Sequence, residues 1–344
     1  MKKILILSGK GGTGKTTIAS SFIKLSKSKF YADCDVDAPN LDILFHKDEE
    51  SNNKDFLGLP KAKIDLDKCI HCGLCKELCR FNAIKENDDG SFYIDEYLCE
   101  GCSVCEANCP AKAIIMNDDV AGRLKMFDTI NANNDKVKDI HNDKNDNDTN
   151  ISKDKSVFST AKLKMGRGNS GKLVSKVKEE LDNEYKEYKQ DMDADKNNSN
   201  YDSKELDIES NSYKLKEELM VIDGSPGIGC PVIASIAGVD FVLMVVEPSL
   251  SGISDMKRLV TTLNKFRCKK ACIINKYDLN KDLTDEIIKY LDEEKIPFVG
   301  KVSYDEMIQK DINQEKCIMD FDDSLAKHEI CDIFINVMRL LNLM

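Results

Sequence analysis

The chain has 344 residues, 41% of them hydrophobic, which is enough for one large domain or two ordinary ones with an apolar core. Its 61 acidic and 50 basic side chains give a formal net charge of -11. This balance argues against a nucleic-acid partner, because affinity for a phosphate backbone depends on clustered Lys and Arg.

The N-terminal segment combines a strand, a glycine loop and a helix. Residues 3–8 are an apolar run of strand length, and residues 15–27 are a helical stretch. The loop between them fits G-x-x-x-x-G-K-[ST], in which backbone N–H groups cradle phosphates, the lysine reaches the β and γ oxygens and the hydroxyl holds Mg²⁺. The predicted nucleotide-binding residues here are Gly9, Lys10, Gly11, Gly12, Thr13, Gly14, Lys15, Thr16 and Thr17.

The same N-terminal run also has the two lysines and the apolar stretch of a signal peptide. Glycines interrupt it after a few residues, and no stretch approaches the roughly 20 apolar residues that a membrane span needs. We therefore expect a cytoplasmic protein without membrane association. In that compartment the 14 cysteines are expected to be metal ligands or buried thiols and not disulfides.

A second strand is predicted at residues 30–33, directly before the acidic segment DCDVDAPNLD, and residues 45–55 are polar and leave the core. Asp33 and Asp35 in this acidic segment are candidate site residues. Either one alone could instead be a helix cap or a turn residue.

Two cysteine quartets follow, and both have the spacing C-x2-C-x2-C-x3-C of bacterial ferredoxins, which hold [4Fe-4S] clusters. In that arrangement the fourth cysteine of each quartet binds the other cluster. A pair of zinc sites is the alternative, but the tight spacing and the small and apolar neighbours favour clusters. The predicted ligands are Cys69, Cys72, Cys75 and Cys109 for one cluster, and Cys99, Cys102, Cys105 and Cys79 for the other.

Residues 131–150 are dominated by Asn, Asp and Lys, which make up 15 of the 20 positions, so this segment is predicted to be disordered. Residues 191–212 have a similar composition. Between them, residues 157–181 read as strand, glycine loop and helix. The loop GRGNSGK almost repeats the phosphate motif, but Leu173 stands where a hydroxyl is required. We therefore predict a helix start near the boundary of the cysteine-rich block and not a second nucleotide site.

From residue 219 the chain alternates between apolar strands and amphipathic helices, which predicts a mostly parallel sheet covered on both faces. Asp223 ends the strand LMVID, and Asn275 follows the strand ACII. The closing helix, residues 324–341, has apolar residues at helical spacing and no basic face, so we expect it to pack on the sheet.

KGGTGKT, with Lys10 as an additional lysine, resembles the deviant Walker A loop of the MinD, ParA, Mrp and nitrogenase iron protein group. The resemblance implies that Lys10 reaches the nucleotide of a partner subunit, that Asp35 orients the attacking water and that Asp223 is the Walker B aspartate. It implies Mg²⁺ at Thr16, Asp35 and Asp223, catalytic roles for Lys10, Lys15, Asp35 and Asp223, and adenine recognition by Asn275. A solvated surface lysine is the alternative for Lys10.

Taken together, the chain resembles MinD-superfamily P-loop ATPases with an inserted two-cluster ferredoxin domain. The expected division is an ATPase domain at 1–59 and 217–344, the ferredoxin domain at 60–117, a disordered linker at 118–157, a return strand and helix at 158–190 and a disordered tract at 191–216. The fold class is an α/β P-loop NTPase fold with an α+β insertion. The expected cofactors are ATP, Mg²⁺ and two [4Fe-4S] clusters.

The leading functional hypothesis is an ATPase that couples its nucleotide state to electron transfer. The alternative is an iron–sulfur carrier or assembly ATPase of the Mrp type, and a third possibility is a positioning ATPase with structural clusters. An ATP-dependent homodimer, or a heterodimer with a related ATPase, is expected. The sequence does not identify the redox or cluster acceptor. Cys230, seven residues beyond Asp223, lies where the nitrogenase iron protein carries a ligand of its intersubunit cluster, which leaves a third cluster as a minor alternative.

Overall fold

A sheet of nine strands lies at the centre of the residues that the structure describes, which are 1–45, 51–130, 155–198, 215–305, 316–321 and 324–344 of a computed structural model. Two smaller sheets of two strands each lie outside it. The strands in chain order are β1 Lys2–Leu7, β2 Phe30–Asp33, β3 Asn52–Leu57, β4 Lys61–Ile64, β5 Ile84–Glu86, β6 Phe92–Ile94, β7 Ile114–Asn117, β8 Val120–Ile130, β9 Lys155–Leu163, β10 Leu219–Asp223, β11 Phe241–Val246, β12 Lys269–Asn275 and β13 Phe298–Val302.

The helices cover the two faces of this sheet. Short 3-10 helices also occur at Tyr277–Leu279 and Ile318–Asp320. The α-helices are α1 Lys15–Ser26, α2 Leu41–Phe45, α3 Leu74–Leu78, α4 Val104–Ala107, α5 Ser170–Asn198, α6 Cys230–Ile236, α7 Leu250–Leu263, α8 Lys281–Glu293 and α9 Leu325–Leu340. Within the described ranges, no helix combines the length and apolar character needed to cross a membrane.

The strand order in the large sheet is β13-β12-β11-β1-β10-β2-β9-β8-β3. The pairs from β13 to β9 are parallel, whereas β8 pairs antiparallel with both β9 and β3. Helices α1 and α9 pack on one face, and α5 to α8 pack on the other. Because both faces are covered, the central strands are apolar along their whole length, as the sequence indicated. The predicted α/β fold with a mostly parallel sheet is confirmed.

The segment predicted as a linker contains strand structure at both ends. Val120–Ile130 forms β8, and β9 begins at Lys155, whereas residues 131–154 lie outside the described residues. In β8, Leu124, Met126 and Phe127 are buried. The sequence of β8 does not alternate regularly between polar and apolar residues, so the pattern did not predict a strand. This strand is stabilised by pairing with β3 on one side and with β9 on the other. The disordered linker is therefore not present at 120–130.

Two further boundaries differ from those expected. The polar stretch at 45–55 continues into β3, in which only Phe56 is buried, so this strand exists because it pairs along β8. Helix α5 extends to Asn198, beyond the expected end at residue 190. The rest of the predicted tract at 191–216 is outside the described residues, apart from the last residues before β10.

The cysteine-rich block forms a small unit beside β3 and β8. Its two sheets are the antiparallel pairs β4–β7 and β5–β6, and α3 and α4 contact each other. A separate small core of Ala62, Ala83, Cys99 and Ile114 lies between them. The chain enters this unit directly from β3 and leaves it directly into β8, so two strands of the large sheet hold it in place.

Candidate functional site

The phosphate loop connects β1 to α1, and two of its glycines have backbone conformations that other residues adopt only with strain. Gly12 and Gly14 have φ values of 78° and 87°. A Cβ atom on Gly14 would lie 2.2 Å from Asn275 Nδ2. Glycine is therefore required at position 14 by both its φ angle and its neighbour.

Lys15, Thr16 and Asp223 meet at the start of α1. Lys15 Nζ donates to Asp223 Oδ1 at 2.6 Å, and the Thr16 hydroxyl donates to Asp223 Oδ2 at 2.7 Å. Burial alone lowers the pKa of Lys15, but the charges of Asp223, Asp33 and Asp35 outweigh it, so the pKa lies above its usual value. The P-loop lysine is therefore a cation at neutral pH in this arrangement.

The two aspartates after β2 differ in their surroundings. Asp33 is buried and accepts hydrogen bonds from the N–H groups of Asp35 at 2.9 Å, Asn40 at 2.9 Å and Leu41 at 3.1 Å. Burial and the nearby Asp223 raise the pKa of Asp33 to about 7. Asp35 lines the cleft, and burial raises its pKa. Asp33 thus fixes the loop that presents Asp35 to the cleft.

A cleft of about 420 Å³ opens beside the phosphate loop. At one end, Asn275 Nδ2 donates to the Thr13 carbonyl at 2.7 Å and Lys276 Nζ donates to the Gly12 carbonyl at 3.2 Å. The buried Thr13 hydroxyl has no hydrogen-bond partner among the described residues. The other residues that line the cleft are Ser8, Gly11, Gly14, Lys15, Thr16, Thr17, Ser20, Asp35, Asn40, Ile43, Leu44, Pro226, Ser303, Tyr304, Asp305, Lys316, Cys317 and Ile318.

Gly9 and Lys10 are not among the residues that line this cleft, and they contact the loop before α7 and the start of α7. Lys10 Nζ donates to the hydroxyls of Ser249 at 3.0 Å and Ser251 at 3.2 Å, and it lies 3.7 Å from Glu247 Oε1. A Cβ atom on Gly9 would lie 2.4 Å from Asp255 Cβ. In this structure Lys10 therefore belongs to a surface next to its own cleft.

The eight cysteines of the two quartets line two separate cavities. One cavity is bounded by Gly73, Phe92 and Ile114, and the other by Ala62, Ala83 and Ile94. Cys69, Cys72, Cys75 and Cys109 line the first, and Cys79, Cys99, Cys102 and Cys105 line the second. The fold thus brings the last cysteine of each quartet to the other quartet.

Backbone N–H groups point at the sulfurs of both exchanged cysteines. Ala83 N–H donates to Cys79 Sγ at 3.4 Å, and Ala113 N–H donates to Cys109 Sγ at 3.3 Å. Burial raises the pKa of Cys75, and it raises the pKa of Cys105 to about 11. Across the described ranges, no three or more His, Cys, Asp or Glu side chains are arranged to hold one metal ion.

The GRGNSGK segment lies between the cysteine unit and helix α6. Gly166 contacts Tyr97, and Gly171 contacts the backbone of Cys230, which is exposed. Leu173 is fully buried in the core under the sheet, which explains why no hydroxyl occurs there. The segment does not line the nucleotide cleft.

Comparison with known proteins identifies the family. The model of the CobQ/CobB/MinD/ParA nucleotide-binding domain matches residues 4–318. The chain belongs to this family. This membership agrees with the phosphate loop, the Lys15–Asp223 pair and the parallel sheet described above.

Two relatives come from Methanocaldococcus jannaschii. This CobQ/CobB/MinD/ParA-family chain is 33% identical over 286 residues to the uncharacterized protein MJ0578, a match that covers 81% of this chain and 79% of the relative. It is 23% identical over 315 residues to the uncharacterized protein MJ0579, with coverages of 90% and 88%. Neither name states an activity or a family, so the family rests on the match of the family model.

A solved structure of the septum site-determining protein MinD from Pyrococcus horikoshii, complexed with Mg-ADP, shares the fold. Its TM-score is 0.50 at 13% identity, and the match covers 99% of this chain and 97% of that chain. At this identity the likeness supports the family fold alone.

The sequence did not predict several residues that line the cleft beside the phosphate loop. Ile43, Leu44, Cys317 and Ile318 line it, although they lie far from the phosphate motif in sequence. Tyr304 is held in place because its N–H donates to Asp278 Oδ1 at 2.8 Å. A pattern search could find Tyr304, since it follows β13 at the same edge of the sheet as the other loops. The remaining residues carry no motif.

Proposed function

We propose that this protein binds and hydrolyses ATP and couples its nucleotide state to electron transfer through two [4Fe-4S] clusters. The observation that carries the proposal is the presence on one chain of a P-loop with its lysine and aspartate in contact, and of two cavities each lined by four cysteines. Membership of the CobQ/CobB/MinD/ParA family supports the proposal that the chain binds ATP. The cysteine geometry supports the cluster part.

In the nucleotide cleft, each residue has a role that follows from its position. Lys15 would exchange Asp223 for the β- and γ-phosphates, and the loop N–H groups would hold the same oxygens. The Thr16 hydroxyl and Asp223 are oxygen donors of the kind that Mg²⁺ prefers, Asp223 acting through water. Asp35, at the cleft wall, would orient the attacking water and complete the Mg²⁺ site, and Asn275 would contact the base.

The partner expected for Lys10 is a second subunit. Lys10 lies outside the cleft of its own chain, where hydroxyls and Glu247 hold it on the surface. A face-to-face dimer with ATP between the subunits would bring Lys10 to the partner's phosphates, which offer a stronger electrostatic attraction than two serine hydroxyls. A homodimer and a heterodimer with a related ATPase both satisfy this geometry.

The cysteine cavities fit [4Fe-4S] clusters in three respects. Four thiols surround each cavity, as a cluster with one thiolate at each iron requires, so the ligands need not converge on one point. Small and apolar side chains line most of the remaining walls, and Glu100 and Ser103 also line the second cavity. N–H groups donate to Cys79 and Cys109, which stabilises thiolates. When bound, each cluster supplies one-electron redox chemistry.

Electron paramagnetic resonance on anaerobically purified, dithionite-reduced protein tests the coupling, with Mg-ATP, with Mg-ADP and without nucleotide. We expect the cluster signals to change with Mg-ATP. The control is Lys15→Gln, which keeps a donor for the buried Asp223 and removes the charge that binds phosphate. It should abolish the change. Signals that are indifferent to nucleotide in the unmodified protein would contradict the proposal.

Iron analysis of the same sample tests the cluster number. About eight irons per chain correspond to two [4Fe-4S] clusters. An additional four irons per dimer that disappear in Cys230→Ser would indicate an intersubunit cluster. About two zinc ions per chain with little iron would contradict the cluster assignment.

One observation favours the carrier alternative. Cys72 and Cys102, one in each quartet, are exposed, which would allow an acceptor protein to approach the cluster ligands. ATP-stimulated transfer of clusters to an apo-ferredoxin in the presence of an iron chelator would support a carrier. Clusters retained through many ATP turnovers would support electron transfer.

A further inference from the structure

Arg167 connects the ATPase body to the second cysteine quartet. Its guanidinium donates through Nη1 to the Glu96 carbonyl at 3.1 Å and through Nη2 to Glu96 Oε2 at 2.8 Å, and Nε lies 3.1 Å from Asp119 Oδ2. The guanidinium also lies 5.4 Å from the centre of the Tyr97 ring. Glu96 and Tyr97 lie three and two residues before Cys99, so Arg167 holds the segment that leads to the second cavity.

The Arg167 and Asp119 side chains are largely covered, whereas the Glu96 side chain is 57% exposed. The Arg167 side chain is 11% exposed and that of Asp119 is 12% exposed. Bidentate and charge-assisted hydrogen bonds of this kind fix orientation, because the planar guanidinium has only one way to satisfy all its acceptors. Glu96 and Asp119 neutralise its charge, so the role of Arg167 is geometric.

The other end of the same segment contacts the loop after Asp223. A Cβ atom on Gly171 would lie 3.0 Å from the Cys230 carbonyl oxygen and 3.1 Å from Cys230 Cβ, so the backbones are in direct contact. Cys230 is the first residue of α6 and directly follows the loop 224–229. That loop reaches the phosphate site, because the Gly227 N–H donates to the Ser8 carbonyl at 3.0 Å.

Helix α5 makes this contact rigid. Lys178 is buried, and its ammonium donates to the carbonyls of Ala234 at 3.0 Å, Ser235 at 2.6 Å and Ala237 at the end of α6. Separating the two helices would remove the Lys178 ammonium from three carbonyls, of which that of Ser235 is buried, so these contacts oppose a relative movement of α5 and α6. Since α5 begins at Ser170, it connects these contacts with α6 to the segment that contains Arg167.

We propose that residues 164–171 transmit the nucleotide state from the loop after Asp223 to the second cysteine quartet, and that Arg167 is the positioning residue at the cysteine end. The inference rests on the proposed function and adds the route of coupling. It also distinguishes the two quartets: the second, at Cys79, Cys99, Cys102 and Cys105, responds to nucleotide before the first.

Hydrogen–deuterium exchange of the full-length, iron-loaded protein tests this route without measuring activity. With Mg-ATP instead of Mg-ADP, we expect deuterium uptake to change at residues 224–230 and at residues 95–105. In Arg167→Met, which keeps an unbranched side chain but has no hydrogen-bond donors, the change at 95–105 should be lost and that at 224–230 retained. Arg167→Lys should restore it only in part, because an ammonium cannot reproduce the planar set of contacts.

Arg123→Met is the matched control. Arg123 lies on β8, is 63% exposed at its side chain and pairs with Asp55 at 3.5 Å, so its loss should leave both changes intact. As a second readout, the nucleotide-induced change in the resonance signal of the second quartet should disappear in Arg167→Met and persist in Arg123→Met.

The outcomes separate the inference from the proposed function. If the unmodified protein shows no nucleotide-dependent change in its resonance signals, the proposed coupling fails and the route with it. If the signals change but Arg167→Met responds like the unmodified protein, the coupling stands and the route is wrong. If Arg167→Met loses iron, the exchange measurement is made on Gly171→Ala instead. Loss of the nucleotide-dependent change at residues 95–105 in that variant supports the route, and a retained change overturns the route.

Discussion

At the scale of single residues, Gly12 and Gly14 share a left-handed backbone but differ in their neighbours. A Cβ atom on Gly12 would meet no described atom within 4 Å, whereas one on Gly14 would meet Asn275 Nδ2 at 2.2 Å. Alanine substitutions at these two positions therefore distinguish the effect of backbone strain, common to both, from that of a steric clash, present only at Gly14. Strain alone costs about 1–2 kcal/mol.

We predict that Gly14→Ala lowers the melting temperature of the nucleotide-free protein more than Gly12→Ala does. Both variants carry the strain of a left-handed alanine, but only Gly14→Ala displaces Asn275 from the Thr13 carbonyl. Differential scanning fluorimetry without nucleotide measures the difference. Equal melting temperatures would show that the Asn275 contact contributes no stability.

The cysteines outside the two quartets also differ at this scale. Cys272 is fully buried in β12, and burial raises the pKa of its thiol, whereas Cys230 is exposed. Since the thiolate is the form that reacts, a buried thiol with a raised pKa stays unreactive until the protein unfolds.

We predict that iodoacetamide modifies Cys230 in the folded protein and leaves Cys272 unmodified, and that raising the pH from 7 to 9 does not change this order. Peptide mass spectrometry measures the modified fractions, and the same reaction in denaturant is the control that should modify both. Early modification of Cys272 would contradict its burial.

At the scale of elements, α9 packs on the sheet as the sequence predicted. Ile330, Ile333, Phe334 and Val337 are buried, and the ring of Phe334 lies 5.1 Å from that of Phe22 on α1 in an edge-to-face arrangement. This helix therefore closes one face of the sheet over the helix that carries the phosphate loop.

We predict that Phe334→Ala lowers the free energy of unfolding by about 3–5 kcal/mol, the usual loss for a buried phenylalanine. Leu325→Ala, in the first turn of the same helix, should have little effect because Leu325 is 64% exposed. Urea denaturation followed by circular dichroism measures both. A small effect of Phe334→Ala would mean that α9 contributes little to the stability of the sheet.

The exchange of cysteines between the quartets is also a property of elements, because β4 and β7 pair antiparallel and place Cys109 near Cys69 and Cys75. We predict that Cys109→Ala and Cys75→Ala remove the same resonance signal, and that Cys79→Ala and Cys105→Ala remove the other. Loss of one signal by both Cys79→Ala and Cys75→Ala would contradict the exchange.

At the scale of the whole molecule, Lys10 lies on the surface beside the cleft and not in it. We predict that Lys10→Ala abolishes Mg-ATP-dependent dimerisation, because the partner's phosphates lose the charge that binds them across the interface. Light scattering coupled to gel filtration measures the mass with and without Mg-ATP. Lys281→Ala, an exposed lysine on α8, is the control. A Lys10→Ala protein that still dimerised with ATP would indicate a solvated surface lysine.

The sequence predicted most of the candidate site but not its surroundings. Lys15, Thr16 and Asp223 lie in local motifs, and the structure brings them together. Asp33 and Asp35 were both candidates, and only the structure separates the buried aspartate from the one at the cleft wall. Their sequence context is the same, whereas their burial depends on the neighbouring strand and on α2.

The sequence by itself determined the chemistry of this protein: a phosphate loop from its glycines, lysine and threonine, two cysteine quartets from their spacing, and a parallel sheet from its apolar strands. Such features depend on residues close together in the chain. Only the tertiary structure decided that β3 and β8 extend the sheet, and that Arg167 binds Glu96 and Asp119 while Gly171 contacts Cys230. Pairing of a polar edge strand and contacts between residues distant in sequence are long-range, and no local pattern encodes them.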